Sequence, residues 1–168
     1  MRKSLGGLNA FPGITETSCM NPSERLQAAR LKRGLSREEV ANRVGLSKKW
    51  YWDLEDDPAQ LLGNVSSAHL QFLGDPVRVS PLELITGSDE LGAEPVDSWE
   101  IVELLECYRP SAGLTVEALS DEVGWELKDV LVDANELWNF CVDGLKDICN
   151  RLQLDWRRAL PDLPPSLT

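Results

Sequence analysis

Apolar positions in the chain fall at helical spacing in short blocks, and polar caps and glycines separate the blocks. The clearest run is Leu35 to Glu55. There Val40, Ala41 and Val44 make one apolar face behind a capping box of Ser36 and Glu39, and Gly45 supplies a turn. Ser47 is placed to cap a second helix on which Tyr51 and Leu54 share a face, while Lys48, Lys49, Trp52 and Asp53 point elsewhere. The pattern predicts two short helices around a tight turn, a helix-turn-helix with residues 47–55 as its presented helix.

The flanking blocks repeat the same grammar. Asn21-Pro22-Ser23-Glu24 predicts a helix start for Leu26, Ala29 and Leu31, stopped at Gly34. After Glu55, Pro58 and Gly63 in DDPAQLLGNV are read as helix breakers that make a connecting loop. Ser66 or Ser67 then caps a helix carrying Leu70, Phe72 and Leu73, ended by Gly74 and Pro76. Ser80-Pro81-Leu82-Glu83 opens another through Leu84 and Ile85 to Gly87. Five short helices are therefore expected in residues 21–87. Residues 1–20, with Gly6, Gly7, Pro12 and Gly13, read as a flexible arm, and Met20 offers a second translation start directly before the first helix.

A second copy of the pattern follows an acidic linker at residues 88–97. Setting Leu35 on Leu114 aligns Ser36 with Thr115, Glu38 with Glu117, Val44 with Val123, Gly45 with Gly124 and Lys49 with Lys128. Upstream the same offset sets Arg30 on Arg109 and Gly34 on Gly113, and with four residues dropped Ile85 meets Leu160. An internal duplication explains this periodicity, with the second copy at 98–161 and a tail at 162–168. Its presented segment, WELKDVLVDANELW, carries Glu126, Asp129, Asp133 and Glu136 with Lys128 as the one cation. Carboxylates against phosphates oppose binding, so this copy is expected to serve packing, dimerisation or effector binding.

The run LSREEVANRVGLSKKWYWDLE resembles the Cro and lambda-repressor-like (XRE family) helix-turn-helix. It shares the Leu-Ser opening, Glu38 and Glu39, the alanine-containing stripe, the Gly45-Leu46-Ser47 turn and the Leu54-Glu55 ending. The resemblance implies an all-α fold of two tandem small five-helix domains, the second degenerate. It also implies sequence-specific binding of double-stranded DNA by a transcriptional regulator, with helix 47–55 in the major groove. Carried over by position, Arg37 would hold a phosphate at the head of the preceding helix. Ser47, Lys48, Lys49 and Trp52 would face the groove, and Arg33 or Arg30 would add backbone charge. The family commonly has glutamine where Arg37 stands, a small hydroxyl near Trp52 and a cation near Asp53, so base specificity is left open. Half-site geometry leads us to expect a homodimer on a two-fold site.

Charge sharpens this picture. The net charge is -11, yet Met1 to Lys49 holds ten Lys/Arg against four Asp/Glu, and Trp50 to Thr168 holds seven against twenty-four. The basic end suits a polyanion; the acidic end suits a cationic partner, or an autoinhibitory contact with the basic helix. The alternative function is therefore a protein-interaction module, an antitoxin or adaptor, using Trp50, Trp125 and Trp138 as interface anchors and the acidic C-terminal domain.

Enzyme chemistry finds no support. His69 is the lone histidine, between Ala68 and Leu70 on an expected helix, and neither a phosphate-cradling glycine loop nor HExxH occurs. Cys19, Cys107, Cys141 and Cys149 form no CxxC pair, so no metal and no cofactor is expected. No apolar run is long enough to span a membrane and the first residues lack a continuous apolar core, so a cytoplasmic protein is expected.

Overall fold

Helix starts in this chain are set by short polar side chains that take up free amides of the first turn. The computed structural model describes residues 20–162, so the expected arm, apart from Met20, and the tail beyond Asp162 lie outside the described residues. In α1 (Pro22–Lys32) and α2 (Arg37–Val44), Asn21 and Ser36 cap reciprocally with Glu24 and Glu39. In α3 (Lys48–Asp56) the Ser47 hydroxyl accepts from the Trp50 amide at 3.2 Å. Ser66 precedes α5 (Ser67–Gly74), and Ser80 caps α6 (Pro81–Thr86).

One expectation fails between α3 and α5. Pro58 and Gly63 do not make a loop; residues Pro58–Asn64 form α4. Proline does end α3, because it cannot continue the amide ladder. It is equally suited to the first position of a new helix, where its missing N–H is not needed. Asp57 completes that start by accepting from the Ala59 amide at 2.9 Å. Residues 21–87 therefore hold six α-helices where five were expected, with a short 3-10 turn at Asp75–Val77.

The second half runs α7 (Ser98–Ser111), α8 (Val116–Val123), α9 (Lys128–Val132), a 3-10 helix Ala134–Asn139, α10 (Val142–Arg151) and a 3-10 helix Trp156–Asp162. No strand forms among the described residues, and the fold is all-α. Residues 88–97 carry no helix but are not free of the rest: Val96 is fully buried and its amide donates to the Arg158 carbonyl at 2.9 Å.

Backbone features recur along the chain at the offsets the sequence suggested. Gly34 and Gly113 both take left-handed φ values, 67° and 70°, as do Gly45 and Gly124, 72° and 82°. The Leu35 amide donates to Arg30 and that of Leu114 to Arg109; Leu46 donates to Ala41 and Trp125 to Ser120. Seventy-five residues separate Arg78 from Gln153, the two non-glycine residues at positive φ among the described residues, both at 57°. Non-glycine residues seldom adopt that conformation, so a matched pair is informative.

Buried apolar side chains form one continuous cluster through both halves, from Leu26, Val40, Leu54 and Leu70 to Leu105, Leu119, Leu145 and Leu160. α1 is pinned to α6 by Arg25, whose guanidinium donates to the carbonyls of Leu84 at 2.8 Å and Ile85 at 2.5 Å. α4 packs on α10, α5 on the 3-10 helix 134–139, and α6 on the 3-10 helix 156–162.

Candidate nucleic-acid interface

The presented face of α3 follows from what its other face buries. Tyr51 and Leu54, three residues apart, are both fully buried. Gly45 at left-handed φ turns the chain between α2 and α3, and the Leu46 amide closes the turn on Ala41 at 2.9 Å. Ser47, Lys48, Lys49, Trp52 and Asp53 are thereby left exposed on one side. Trp52 is 41% exposed. The Lys48 ammonium stands 5.5 Å from its ring centroid and the Arg37 guanidinium 5.8 Å, both within cation-π range.

Arg37 is used inside the protein. It donates to Glu55 Oε2 and to Asp56 Oδ1, each at 2.7 Å, tying the head of α2 to the end of α3. Lys48 Nζ meets Glu38 Oε2 at 2.9 Å, with both groups in solvent. Lys49 has no ion-pair partner among the described residues. Arg33 is exposed, with one long hydrogen bond of 3.4 Å to the Val77 carbonyl. Arg43 is also exposed on α2, and its signal in the sequence is a cation beside the apolar stripe of Val40, Ala41 and Val44, in the last turn before Gly45. Across the described residues of the first half, 20–87, nine Lys/Arg balance nine Asp/Glu; residues 88–162 hold six against eighteen. Among the described residues, then, an attraction for a polyanion depends on the local arrangement around α3, because the charges of 20–87 sum to zero.

Behind this face lies a buried ionic cluster. Glu55, whose side chain is wholly buried, accepts from Arg30 at 2.6 and 2.9 Å and from Arg37. Burial raises the Glu55 pKa, but the hydrogen bonds from the arginines outweigh it and hold the carboxyl below the ordinary glutamate value. Burial, with the Glu55 carboxylate next, pushes the Tyr51 phenol well above its usual range. Arg30 is accordingly a structural cation, 6% exposed, and not a surface contact for phosphate.

The corresponding surface of the second half is differently built. α9 has five residues where α3 has nine, and Leu127 precedes it without a side-chain cap. Leu127, at the offset of Lys48, is fully buried. Lys128 is exposed among Glu126, Asp129 and Asp133, which are exposed as well. No ion pair joins a cation of α3 to an acid of the second half among the described residues.

The expected interface tryptophans turn inward to different degrees. Trp138 is 3% exposed, a core residue, which corrects its assignment to an interface: its ring joins the continuous apolar cluster. Trp125 lies 5.5 Å from the Phe140 ring, donates its indole N–H to Asp147 Oδ2 at 3.0 Å, and covers Gly144 so closely that a Cβ there would fall 2.9 Å from the indole. Trp50 is half-buried beside Val65, His69 and Phe72. His69 shares a 2.5 Å hydrogen bond with Ser66 Oγ. Cys141 and Cys149 are buried and Cys107 exposed, with no metal-binding group of histidine, cysteine and carboxylates among the described residues. Burial, with Asp155 next, pushes the Cys149 thiol up to about 12, which leaves it inert at neutral pH. No helix among the described residues is long and apolar enough to cross a membrane.

Comparison with known proteins finds no family model, no curated protein and no solved structure that matches the chain.

Proposed function

We propose that the chain is a transcriptional regulator made of two tandem lambda-repressor-like helix-turn-helix copies, and that residues 21–87 bind duplex DNA with α3 in the major groove. One observation carries this reading. A left-handed glycine turn joins two short helices so that Tyr51 and Leu54 anchor α3 while Ser47, Lys48, Lys49 and Trp52 face outward. Lys49 supplies a cation for phosphate or for guanine O6 and N7, the Ser47 hydroxyl reaches phosphate, and Trp52 offers an apolar face to sugar or a thymine methyl. Arg37 positions α3 through Glu55 and Asp56, in place of the phosphate contact implied by its position in the motif. Arg33 and Arg43 add charge to the backbone-facing margin.

The repeated turns support reading residues 98–161 as the second, degenerate copy. Its buried Leu127, short α9 and surrounding carboxylates suit packing and not groove contact.

A second reading draws on the self-neutralised head of the face. Glu38 and Asp56 already pair with Lys48 and Arg37, and Trp52 is exposed beside them. An aromatic side chain ringed by polar groups suits the core of a protein interface, as an antitoxin or adaptor would use.

Retention on mixed genomic DNA fragments at low salt separates the two. The intact protein is expected to bind, and Lys48→Ala/Lys49→Ala to bind on the order of tenfold more weakly, the loss of one or two groove contacts. Failure of the intact protein to bind removes the DNA reading and favours the protein interface at Trp52.

A further inference from the structure

The two halves of the chain meet through positions that correspond to each other at the internal offset. Ser66 and Cys141 are the residues that precede α5 and α10, and they stand 75 residues apart, the offset that also relates Arg78 to Gln153. These two pair directly with each other as an isolated antiparallel bridge. Pairing of a position with its own counterpart is what a two-fold axis produces, because the rotation that carries Ser66 onto Cys141 must also carry Cys141 onto Ser66.

The packing around the bridge shows the same exchange. α4 lies on α10, and the 3-10 helix 134–139, at the offset of α4, lies on α5, at the offset of α10. The Ser67 amide and hydroxyl both donate to the Phe140 carbonyl, at 2.7 and 2.9 Å, and the apolar cluster runs through the contact without a break. A position paired with its own counterpart, and elements packed in exchanged pairs, form the pattern of an isologous contact within one chain.

Resting on the DNA-binding reading above, we propose that this protein is a pseudo-dimer of itself that binds duplex DNA as a single chain and reads one half-site. The two-chain dimer expected from half-site geometry is replaced by the internal two-fold. Symmetric regulators read two inverted half-sites about 10 bp apart with two equivalent helices. Here the helices are not equivalent. α3 keeps its cap, its nine residues and exposed Lys48, Lys49 and Trp52, whereas α9 is uncapped, five residues long and surrounded by Glu126, Asp129 and Asp133. The preferred site is then asymmetric, with no inverted partner for the segment that α3 reads.

The test pairs a solution mass with a selection. Native mass is measured for the full chain alone and with duplex recovered from a random library, and affinity is compared for Lys49→Ala and its counterpart Lys128→Ala. The expected results are a mass of one 18.7 kDa chain, one chain per duplex and a motif without inverted symmetry. Lys49→Ala should weaken binding severalfold, and Lys128→Ala should leave it unchanged. Two chains on an inverted repeat, or equal losses for the two lysines, overturn the proposal while leaving DNA binding intact. If no duplex is retained at low salt, the DNA reading and the half-site fall together; the self-pairing is then upheld by a single-chain mass and overturned by twice that mass.

Discussion

Arg30 grips Glu55 with two parallel hydrogen bonds, 2.6 Å from Nε and 2.9 Å from a terminal nitrogen, in a site where the carboxylate is wholly buried. The pair joins the last turn of α1 to the last turn of α3, and Arg37 adds a third bond from the head of α2. Three helices thus meet on one carboxylate, and that sets the angle at which α3 is presented.

Neutralising the acid leaves the buried Arg30 without a counter-ion, while Arg37 keeps Asp56. Glu55→Gln is expected to cost about 3–5 kcal/mol at neutral pH, whereas Arg30→Met/Glu55→Leu should cost less, because no uncompensated charge remains. Urea unfolding of the three proteins checks the order.

The same carboxylate has a pH signature. Its folded pKa lies below its unfolded value, so its contribution is fully present above the ordinary glutamate range and is lost as pH falls through the folded value. The stability gap between the wild type and Glu55→Gln should therefore narrow on acidification below about pH 4.5, where unfolded glutamate begins to take up its proton. A gap that stays constant to pH 2 would show that Glu55 is not ionised by its arginines.

Two glycines should respond very differently to alanine. Gly45, the turn glycine, has open space where a Cβ would stand, so Gly45→Ala costs only the left-handed strain, about 1–2 kcal/mol. Gly74 has an ordinary helical φ of -75°, but a Cβ there would come 2.1 Å from the Val79 carbonyl oxygen. That contact is with backbone, so Gly74→Ala should cost more, about 3 kcal/mol or beyond, the upper end for overpacking. Thermal melts of the two variants give the comparison.

Tryptophan burial makes a further test. Trp138→Ala should destabilise by about 3–5 kcal/mol, as a large side chain removed from a core. Trp99, 56% exposed at the start of α7, should tolerate alanine within about 0.5 kcal/mol. Similar losses at the two positions would contradict the placement of Trp138 in the core.

Much of the helical layout was legible from caps. Asn21, Ser36, Ser47 and Ser80 each cap a helix, and Gly34, Gly45 and Gly87 mark ends, because these residues satisfy a local backbone need; the expected cap of α5 is not made, since Ser66 Oγ turns to His69 and Ser67 Oγ to the Phe140 carbonyl. α4 was missed because Pro58 has two local meanings, stop and start, and only the Asp57 cap and the packing of α4 on α10 decide between them. The left-handed Arg78 and Gln153 carry no glycine to announce them. At the candidate site, spacing alone separates Tyr51 and Leu54 from the outward Lys48, Lys49 and Trp52. It cannot tell that Arg37 turns to Glu55 and Asp56, 18 and 19 residues away, or that Glu55 is buried. Long-range ion pairing leaves no period in a sequence, and Trp138 looks equally suited to core and surface until its neighbours are known.

The central claim, that α3 is a DNA-reading helix, is tested most directly by backbone amide shifts of the labelled full chain during titration with mixed-sequence duplex at low salt. Shifts concentrated at residues 47–52 and at Arg33 and Arg43, reversed by added salt and absent from residues 126–132, are the predicted result. No shifts at saturating duplex, or shifts centred away from α3, would contradict it.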